Sequence, residues 1–193
     1  MKVLLTGATG FVGFHTLKAL LRVGHSVRVI VPEGCEGVDL QGEHEQVEIV
    51  KANLSCLEDL PDVAEGCHAV IHARGILNRQ CPAGKTFENP HVEETRNLIT
   101  KALEAGVDRL IYFSMGGASA HSSWAYLRAK HRAECLIKSC EIPYTLFRPS
   151  VIYGPGDGFI NQIARLFNPY WRVILMPSSG RQQMQPVSIG DVR

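Results

Sequence analysis

The sequence predicts an α/β protein built on a doubly wound parallel sheet, and three observations carry that expectation. Short runs rich in β-branched residues alternate with longer stretches of helical period, the pattern of βαβ units. A turn holding three glycines joins the first such run to the first helical stretch. The 193 residues are 45% hydrophobic and 20% charged, a globular balance in a chain long enough to bury roughly 70% of its unfolded surface.

The elements follow in order. Lys2–Thr6 reads as a strand, and residues 11–23 place Phe11, Phe14, Leu17, Leu20 and Leu21 near one helical face, closed by Gly24 at C′. Strands are expected at Ser26–Val31, stopped by Pro32, and at Val47–Lys51, with Ser55 as N-cap of a short helix over residues 56–60. A fourth strand covers residues 68–72. Beyond a loop with Pro82 and Gly84, a single helix is expected over residues 89–105, ending at Gly106. Residues 108–113 form the fifth strand, 123–140 a long helix and 143–147 the sixth strand. After Pro149 the chain is rich in loop residues, with a last helix near 159–167 and a strand and turn over 185–191. Right-handed crossovers make the doubly wound open sheet the favoured topology.

Charge narrows the partners. Lys and Arg number 20 against 19 Asp and Glu, which leaves no global field for nucleic acid or an anionic membrane. No apolar run approaches the roughly 18 residues of a spanning helix. The start, Met1–Leu5, has the look of a signal peptide, but Gly7, Gly10 and Gly13 interrupt it and no cleavage site closes it. A cytoplasmic protein without membrane insertion is expected. Six scattered cysteines without a C-x-x-C pair, and eight dispersed histidines, give reduced structural thiols and no metal.

The strongest chemical signal is Thr6-Gly7-Ala8-Thr9-Gly10-Phe11-Val12-Gly13 at the first βα junction. Glycines spaced G-x-x-G-x-x-G allow a tight turn and let backbone N–H groups approach a pyrophosphate at a helix N-terminus. No Gly-Lys-Ser/Thr follows, so this is not a Walker A loop. A dinucleotide is the expected ligand, in a Rossmann arrangement. At the end of the second strand, where an acid takes the ribose 2′-hydroxyl and an Arg a 2′-phosphate, stand Pro32 and Glu33. Arg28 lies within the strand. Glu33 tilts the reading towards NAD over NADP and leaves the choice unresolved.

Tyr126 and Lys130 stand four apart on the long helix, hence on one face. A cation beside a phenol favours phenolate and lowers the Tyr pKa, so this pair suits proton exchange with a carbonyl or carbinol. Taken alone, such a spacing is common on surface helices. Its place after the fifth strand, following the glycine loop, gives it weight.

With these segments the chain resembles the short-chain dehydrogenase/reductase superfamily, in its extended and atypical branches. The resemblance rests on TGATGFVG (6–13), HVEETRNLI (91–99), YLRAK (126–130) and LFRPSVIYGPGDGF (146–159), and covers almost the whole chain. The last segment, with QPVSIGDV (185–192), is similar to the branch containing the nucleotide-binding accessory subunit of respiratory complex I and its bacterial, NAD-dependent epimerase/dehydratase-like relatives. The resemblance implies that Gly7, Thr9, Gly10, Phe11, Val12 and Gly13 hold the pyrophosphate, with Tyr126 and Lys130 at the nicotinamide ribose. It places Asn53 and Leu54 beside adenine, Ala73, Arg74 and Gly75 where the nucleotide crosses the sheet edge, and Pro149, Ser150 and Val151 at the nicotinamide. Arg74, where relatives mostly carry a small or apolar residue, faces either a phosphate or solvent. Ser114 ends the fifth strand, at a position that often contacts cofactor, and is the candidate for the third catalytic member. The usual catalytic hydroxyl falls slightly later, where Met115, Gly116, Gly117 and Ala118 stand; Ser119, Ser122 and Ser123 are substitutes. His91 stands where many relatives have Asn, as a helix cap or a catalytic group.

The expected organisation is an NAD(P)-binding Rossmann domain over 1–167, with residues 168–193 beginning a truncated C-terminal substrate portion. Two functions stay open. One is an NAD(P)-dependent oxidoreductase, epimerase or dehydratase acting on an unidentified small molecule, with Tyr126 as acid/base. The other is a catalytically inactive dinucleotide-binding subunit or regulator of a larger complex. A homodimer through two long helices accords with the superfamily.

Overall fold

The computed structural model describes residues 1–32, 45–58, 60–75, 89–165, 167–168, 173–174 and 183–192. The chain divides into two compact units, Met1–Arg148 and Pro149–Arg193, the division falling earlier than residue 167. In the first unit, strands β1 (Lys2–Thr6), β2 (Ser26–Val31), β3 (Val47–Lys51), β4 (Ala69–His72), β5 (Arg109–Phe113) and β6 (Tyr144–Phe147) form one sheet. Its order is β3-β2-β1-β4-β5-β6, and every pairing is parallel. That order reverses between β1 and β4, and the crevice outside the carboxyl ends of the strands at such a reversal is where ligands bind in open α/β sheets.

Three helices pack on this sheet: α1 (Phe11–Arg22), α2 (Glu94–Glu104) and α3 (Ala125–Lys138). The core of one face joins Leu4, Val70, Leu110 and Tyr112 of the strands to Leu98 and Ala102 of α2 and Ala133 and Ile137 of α3. Strands β1 and β4 are buried almost throughout, the mark of a parallel sheet covered on both sides. The six expected strands and the long helix are present with ends shifted by at most a few residues.

Two expectations change. Residues 54–58 form turns instead of a helix, because the Ser55 hydroxyl donates to Glu94 Oε1 at 3.1 Å and the Ser55 N–H is taken by Asn53 Oδ1 at 3.1 Å. Polar side chains that bind nearby backbone compete with a helix at that point. The helix expected over 89–105 begins as a wide π turn, Asn89–Glu93, before α2 proper. Such turns are rare and recur at functional sites; this one carries His91.

The second unit contains β7 (Ile152–Tyr153), α4 (Gly158–Arg165), β8 (Phe167–Asn168), β9 (Val173–Ile174), β10 (Val187–Ser188) and α5 (Ile189–Val192). Strand β10 pairs parallel with β7, and β8 pairs antiparallel with β9. The Asp157 carboxylate accepts the N–H groups of Gly154 and Ile160, at 3.1 and 2.6 Å, which fixes the Gly154–Gly158 turn onto the start of α4.

Among the described residues, no helix is long and apolar enough to cross a membrane, and no group of three or more His, Cys, Asp or Glu could hold a metal ion.

Candidate functional site

The glycine loop is shaped by the absence of side chains. Gly7 has φ +78°, and a Cβ there would meet Ala73 C and Arg74 N at 2.8 Å. A Cβ on Gly13 would lie 2.1 Å from the Gly7 carbonyl oxygen, whereas one on Gly10 would lie 3.3 Å from it. Gly7 and Gly13 therefore bring loop, helix and β4 end closer than any other residue would allow. The Gly10 N–H donates to Gly7 O at 2.9 Å, and Gly10 caps α1 in extended conformation with no side-chain cap and no acid in the first turn. Helix N–H groups left unbonded at such a terminus favour an anion. Thr9 and Gly10 are exposed, and Phe11 and Val12 half-buried. The cradle fits the pyrophosphate of a dinucleotide, held by backbone N–H groups.

A second cluster lies beside Gly75. A Cβ on Gly75 would meet His91 Cε1 and Lys130 Nζ at 3.5 Å and the Tyr126 hydroxyl at 3.6 Å. The π turn supplies His91, one face of α3 supplies Tyr126 and Lys130, and Gly75 follows the β4 end. The rings of His91 and Tyr126 meet edge to face, centroids 5.0 Å apart. Lys130 is 2% exposed; its Nζ donates to Phe113 O at 2.8 Å and Arg74 O at 3.4 Å, and lies 4.7 Å from the Tyr112 ring centroid.

Electrostatics here correct one expectation. Burial pushes the Tyr126 hydroxyl up to about 12, so desolvation outweighs any lowering by a neighbouring cation. Burial also pushes Lys130 down to about 7, against the pull of Glu134. Near neutrality the Tyr126 phenol is therefore protonated.

Ser114 follows β5, and its hydroxyl donates to Glu134 Oε1. Glu134 is fully buried and also accepts from Arg148, Nε at 2.8 Å and Nη2 on the second oxygen. Burial alone would raise the Glu134 carboxyl, but Arg148 and Ser114 hold it below the usual carboxylate range.

The remaining candidates separate. Asn53 turns its side chain back onto Ser55 N–H. The Leu54 side chain is within the core, and its carbonyl accepts from Asn97 Nδ2 at 2.8 Å. Ala73 extends the sheet edge, its N–H donating to Thr6 O at 3.2 Å. Arg74 is partly buried, its Nε 3.0 Å from Glu94 Oε2. Arg28 is committed to Val63 O and Glu65 O, both at 2.9 Å, and to Glu48 at 3.0 Å. Pro149, Ser150 and Val151 open the second unit, where Ser150 Oγ donates to Gln185 O and Val151 O accepts the Val187 N–H at 2.9 Å. Glu33 lies outside the described residues.

Sequence reasoning missed three side chains that the structure draws into this region. His72, at the β4 end, shares a 2.5 Å hydrogen bond between Nδ1 and Thr6 Oγ1 and stacks on Tyr112; burial, then Lys130 and Arg74, keep it well below its ordinary pKa. Glu94 and Glu134 are both buried acids. Glu134 had a signal, its place one turn beyond Lys130 on the same face; His72 and Glu94 had none, because their partners are distant in sequence.

The chain matches the family model described as NAD(P)H-binding over residues 7–161. It is 32% identical over 191 residues to NADH dehydrogenase (ubiquinone) 1 alpha subcomplex subunit 9, mitochondrial, of Mus musculus, covering 96% of this chain and 49% of that protein. It is 31% identical over 155 residues to the ceramide reductase of Caulobacter vibrioides, covering 80% of this chain and 47% of the reductase. The chain thus spans about half the length of the curated relatives it matches. UDP-glucose 4-epimerase of Thermotoga maritima, solved with UDP-glucose, shares the fold with a TM-score of 0.78 at 19% identity, over 100% of this chain and 71% of the epimerase. A glycine cradle at the reversal of a six-stranded parallel sheet, matched over most of its length by that family model, places this chain in the NAD(P)H-binding family, with a Rossmann fold like that of the epimerases and dehydratases.

Proposed function

We propose that this chain binds NAD(P)(H) across the glycine loop and the Gly75 cluster, and transfers hydride to or from a small carbonyl or carbinol compound as an oxidoreductase or epimerase/dehydratase-like enzyme. The observation that carries the reading is the convergence of Tyr126, Lys130 and His91 on one point at Gly75. The loop N–H groups of Gly7–Gly13 hold the pyrophosphate, and the nicotinamide, when bound, supplies or accepts the hydride. Tyr126, protonated near neutrality, gives its proton to the oxygen of a reducing carbonyl. Lys130, anchored on Phe113 O, positions the ribose and carries the charge that stabilises the phenolate left behind. His91 orients the phenol through its ring edge. The sequence at Glu33 tilts the choice slightly towards NAD and leaves NAD versus NADP open.

A specific observation favours a second reading. The Ser114 hydroxyl donates its hydrogen bond to Glu134, and without a hydroxyl aimed at substrate the same fold would serve as a dinucleotide-binding subunit of a larger complex, stabilised by its ligand. Titration with NADH and with NADPH, followed by nicotinamide fluorescence, tests the shared step: micromolar binding is expected, and none would sink both readings. Reduction of a panel of aldehydes and ketones then separates them. Tyr126→Phe is expected to lower turnover by about 10²–10⁴-fold while dinucleotide affinity stays within a few-fold. Equal turnover in the Phe variant removes Tyr126 from the mechanism.

A further inference from the structure

Glu134 touches none of the three side chains gathered at Gly75 in the proposed chemistry, yet the fold spends several polar groups on it. Its side chain is wholly buried, one turn beyond Lys130 on α3. Ser114, directly after β5, donates its hydroxyl to one carboxylate oxygen. Arg148, directly after β6, donates Nε to that oxygen at 2.8 Å and Nη2 to the other, and Lys138 Nζ stands 4.0 Å from the second oxygen. The Ser114 N–H donates to Phe147 O at 2.8 Å, so the two strand ends are joined to each other as well as to Glu134. Phe113, the residue before Ser114, accepts Lys130 Nζ at 2.8 Å. One carboxylate thus holds the stretch of chain that anchors the lysine.

A tie between α3 and β6 alone does not call for ions. Apolar side chains of similar volume often replace a buried ion pair at no loss of stability. What they lack is a negative charge near a buried amine. Burial pushes Lys130 down to about 7, and Glu134 pulls the other way. The remaining titratable and charged groups around the amine do not supply that pull. Tyr126 on α3 and Tyr112 on β5 stay protonated near neutrality, since burial raises both. His72 on β4 is held well below its ordinary pKa, and the imidazole of His91 on the π turn carries no negative charge. Arg74 and Glu94 are paired with each other.

We propose that Glu134 is the positioning residue of Lys130: it ties the ends of β5 and β6 to α3 so that Phe113 O meets the amine, and its negative charge keeps that amine in the ammonium form. The inference deepens the dinucleotide reading, in which this ammonium lies at the ribose. A purely structural tie would depend on the shape of residue 134. A positioning role depends on its charge.

NMR of the full chain labelled with 13C at lysine Cε follows the amine directly, Lys130→Met identifies its signal, and thermal melting reports the fold of each variant. Glu134→Gln keeps the shape and the acceptor oxygen but drops the charge, and is expected to move the Lys130 midpoint down by about one pH unit. Glu134→Asp restores the charge on a shorter stem and is expected to return the midpoint to within about 0.3 unit of the wild type. If Glu134→Gln folds poorly, Glu134→Gln/Arg148→Met leaves neither charge unpaired and is expected to show the same drop. A midpoint unmoved in the charge-free variants overturns the proposal, as does an equal drop in Glu134→Asp. None of these readings needs a nucleotide. NADH and NADPH titrations at several pH values then test the link to function: the loss of affinity with rising pH should begin about one unit lower in Glu134→Gln. An unmoved midpoint in protein that binds nucleotide overturns this proposal alone. A moved midpoint in protein that binds neither nucleotide supports the tie between Glu134 and Lys130 and sinks the dinucleotide reading.

Discussion

The two halves of the site are built on opposite physical principles. At Gly7–Gly13 the chain removes side chains so that backbone comes within 2.1–3.3 Å of where a Cβ would stand, and binding capacity resides in peptide N–H groups. At Gly75 the chain clears one position so that three large polar side chains converge on it, and burial shifts the proton affinities of Tyr126 and Lys130. The loop leaves no room for a Cβ at Gly7 or Gly13. The cluster is tuned, since its proton affinities follow from how much water has been excluded. Substitutions should therefore fail sterically in the first region and electrostatically in the second.

The largest effect is expected at Gly13. Gly13→Ala drives a methyl group to 2.1 Å from Gly7 O, into backbone that has no rotamer with which to yield. Overpacking of this kind costs about 1–3 kcal/mol or more, and the distorted cradle should lose NADH binding by more than tenfold. Gly10→Ala meets Gly7 O at 3.3 Å and should cost under about 1 kcal/mol, with binding within a few-fold. Melting curves and titrations of the two variants check this. Equal behaviour would show that close approach at Gly13 does not shape the loop.

The Gly75 cluster should break in the other way, with stability and binding moving in opposite directions. Lys130 has a folded pKa of about 7 against an ordinary value of 10.5. Below pH 7 it is charged in both states, so the fold carries the full cost of burying the ammonium. As pH rises from 7 to 10.5, the unfolded chain binds a proton that the folded one does not, and this cost fades. Lys130→Met removes the group and its pH dependence. The melting temperature of the variant minus that of the wild type should be largest below pH 7 and shrink steadily towards pH 10.5, each kcal/mol corresponding to about 2–4 °C in a chain of this size. A pH-independent difference would show that Lys130 is charged in the fold at neutrality. An anionic dinucleotide near Lys130 should also draw a proton onto it, so wild-type affinity should fall as pH rises above 7, and this trend should vanish in the Met variant.

The same contrast decides what could be read from the sequence. Strands β1 to β6, the α1 and α3 helices and the glycine cradle follow from local features: β-branched runs, helical period, and glycines at a βα junction. Their causes lie within a few residues of each other. What escaped reading depends on partners far along the chain. Ser55 was expected to cap a helix and instead donates to Glu94, 39 residues away; the expected helix is a set of turns. Arg74 had no signal for its Glu94 partner, and Ser114 none for Glu134, 20 residues on. The Tyr126–Lys130 spacing put the two side chains on one helix face, where both reach Gly75, yet it could not supply the burial that raises the tyrosine pKa.

Ser114 gives the smallest expected effect and the sharpest test of which functional reading applies. Its hydroxyl is one of three donors to Glu134, and Arg148 supplies the other two. Ser114→Ala leaves the buried carboxylate with its guanidinium partner, so the loss should be about 1 kcal/mol, the net worth of one hydrogen bond. If the hydroxyl served a substrate oxygen in the transition state, turnover would fall by about 10²–10³-fold with little change in stability. The arrangement at Glu134 points to the first outcome: a melting temperature lower by a few degrees and turnover within a few-fold of the wild type. A large loss of turnover in a variant of unchanged melting temperature would mean that substrate binding pulls Ser114 away from Glu134, and would place the hydroxyl beside Tyr126 in the reaction.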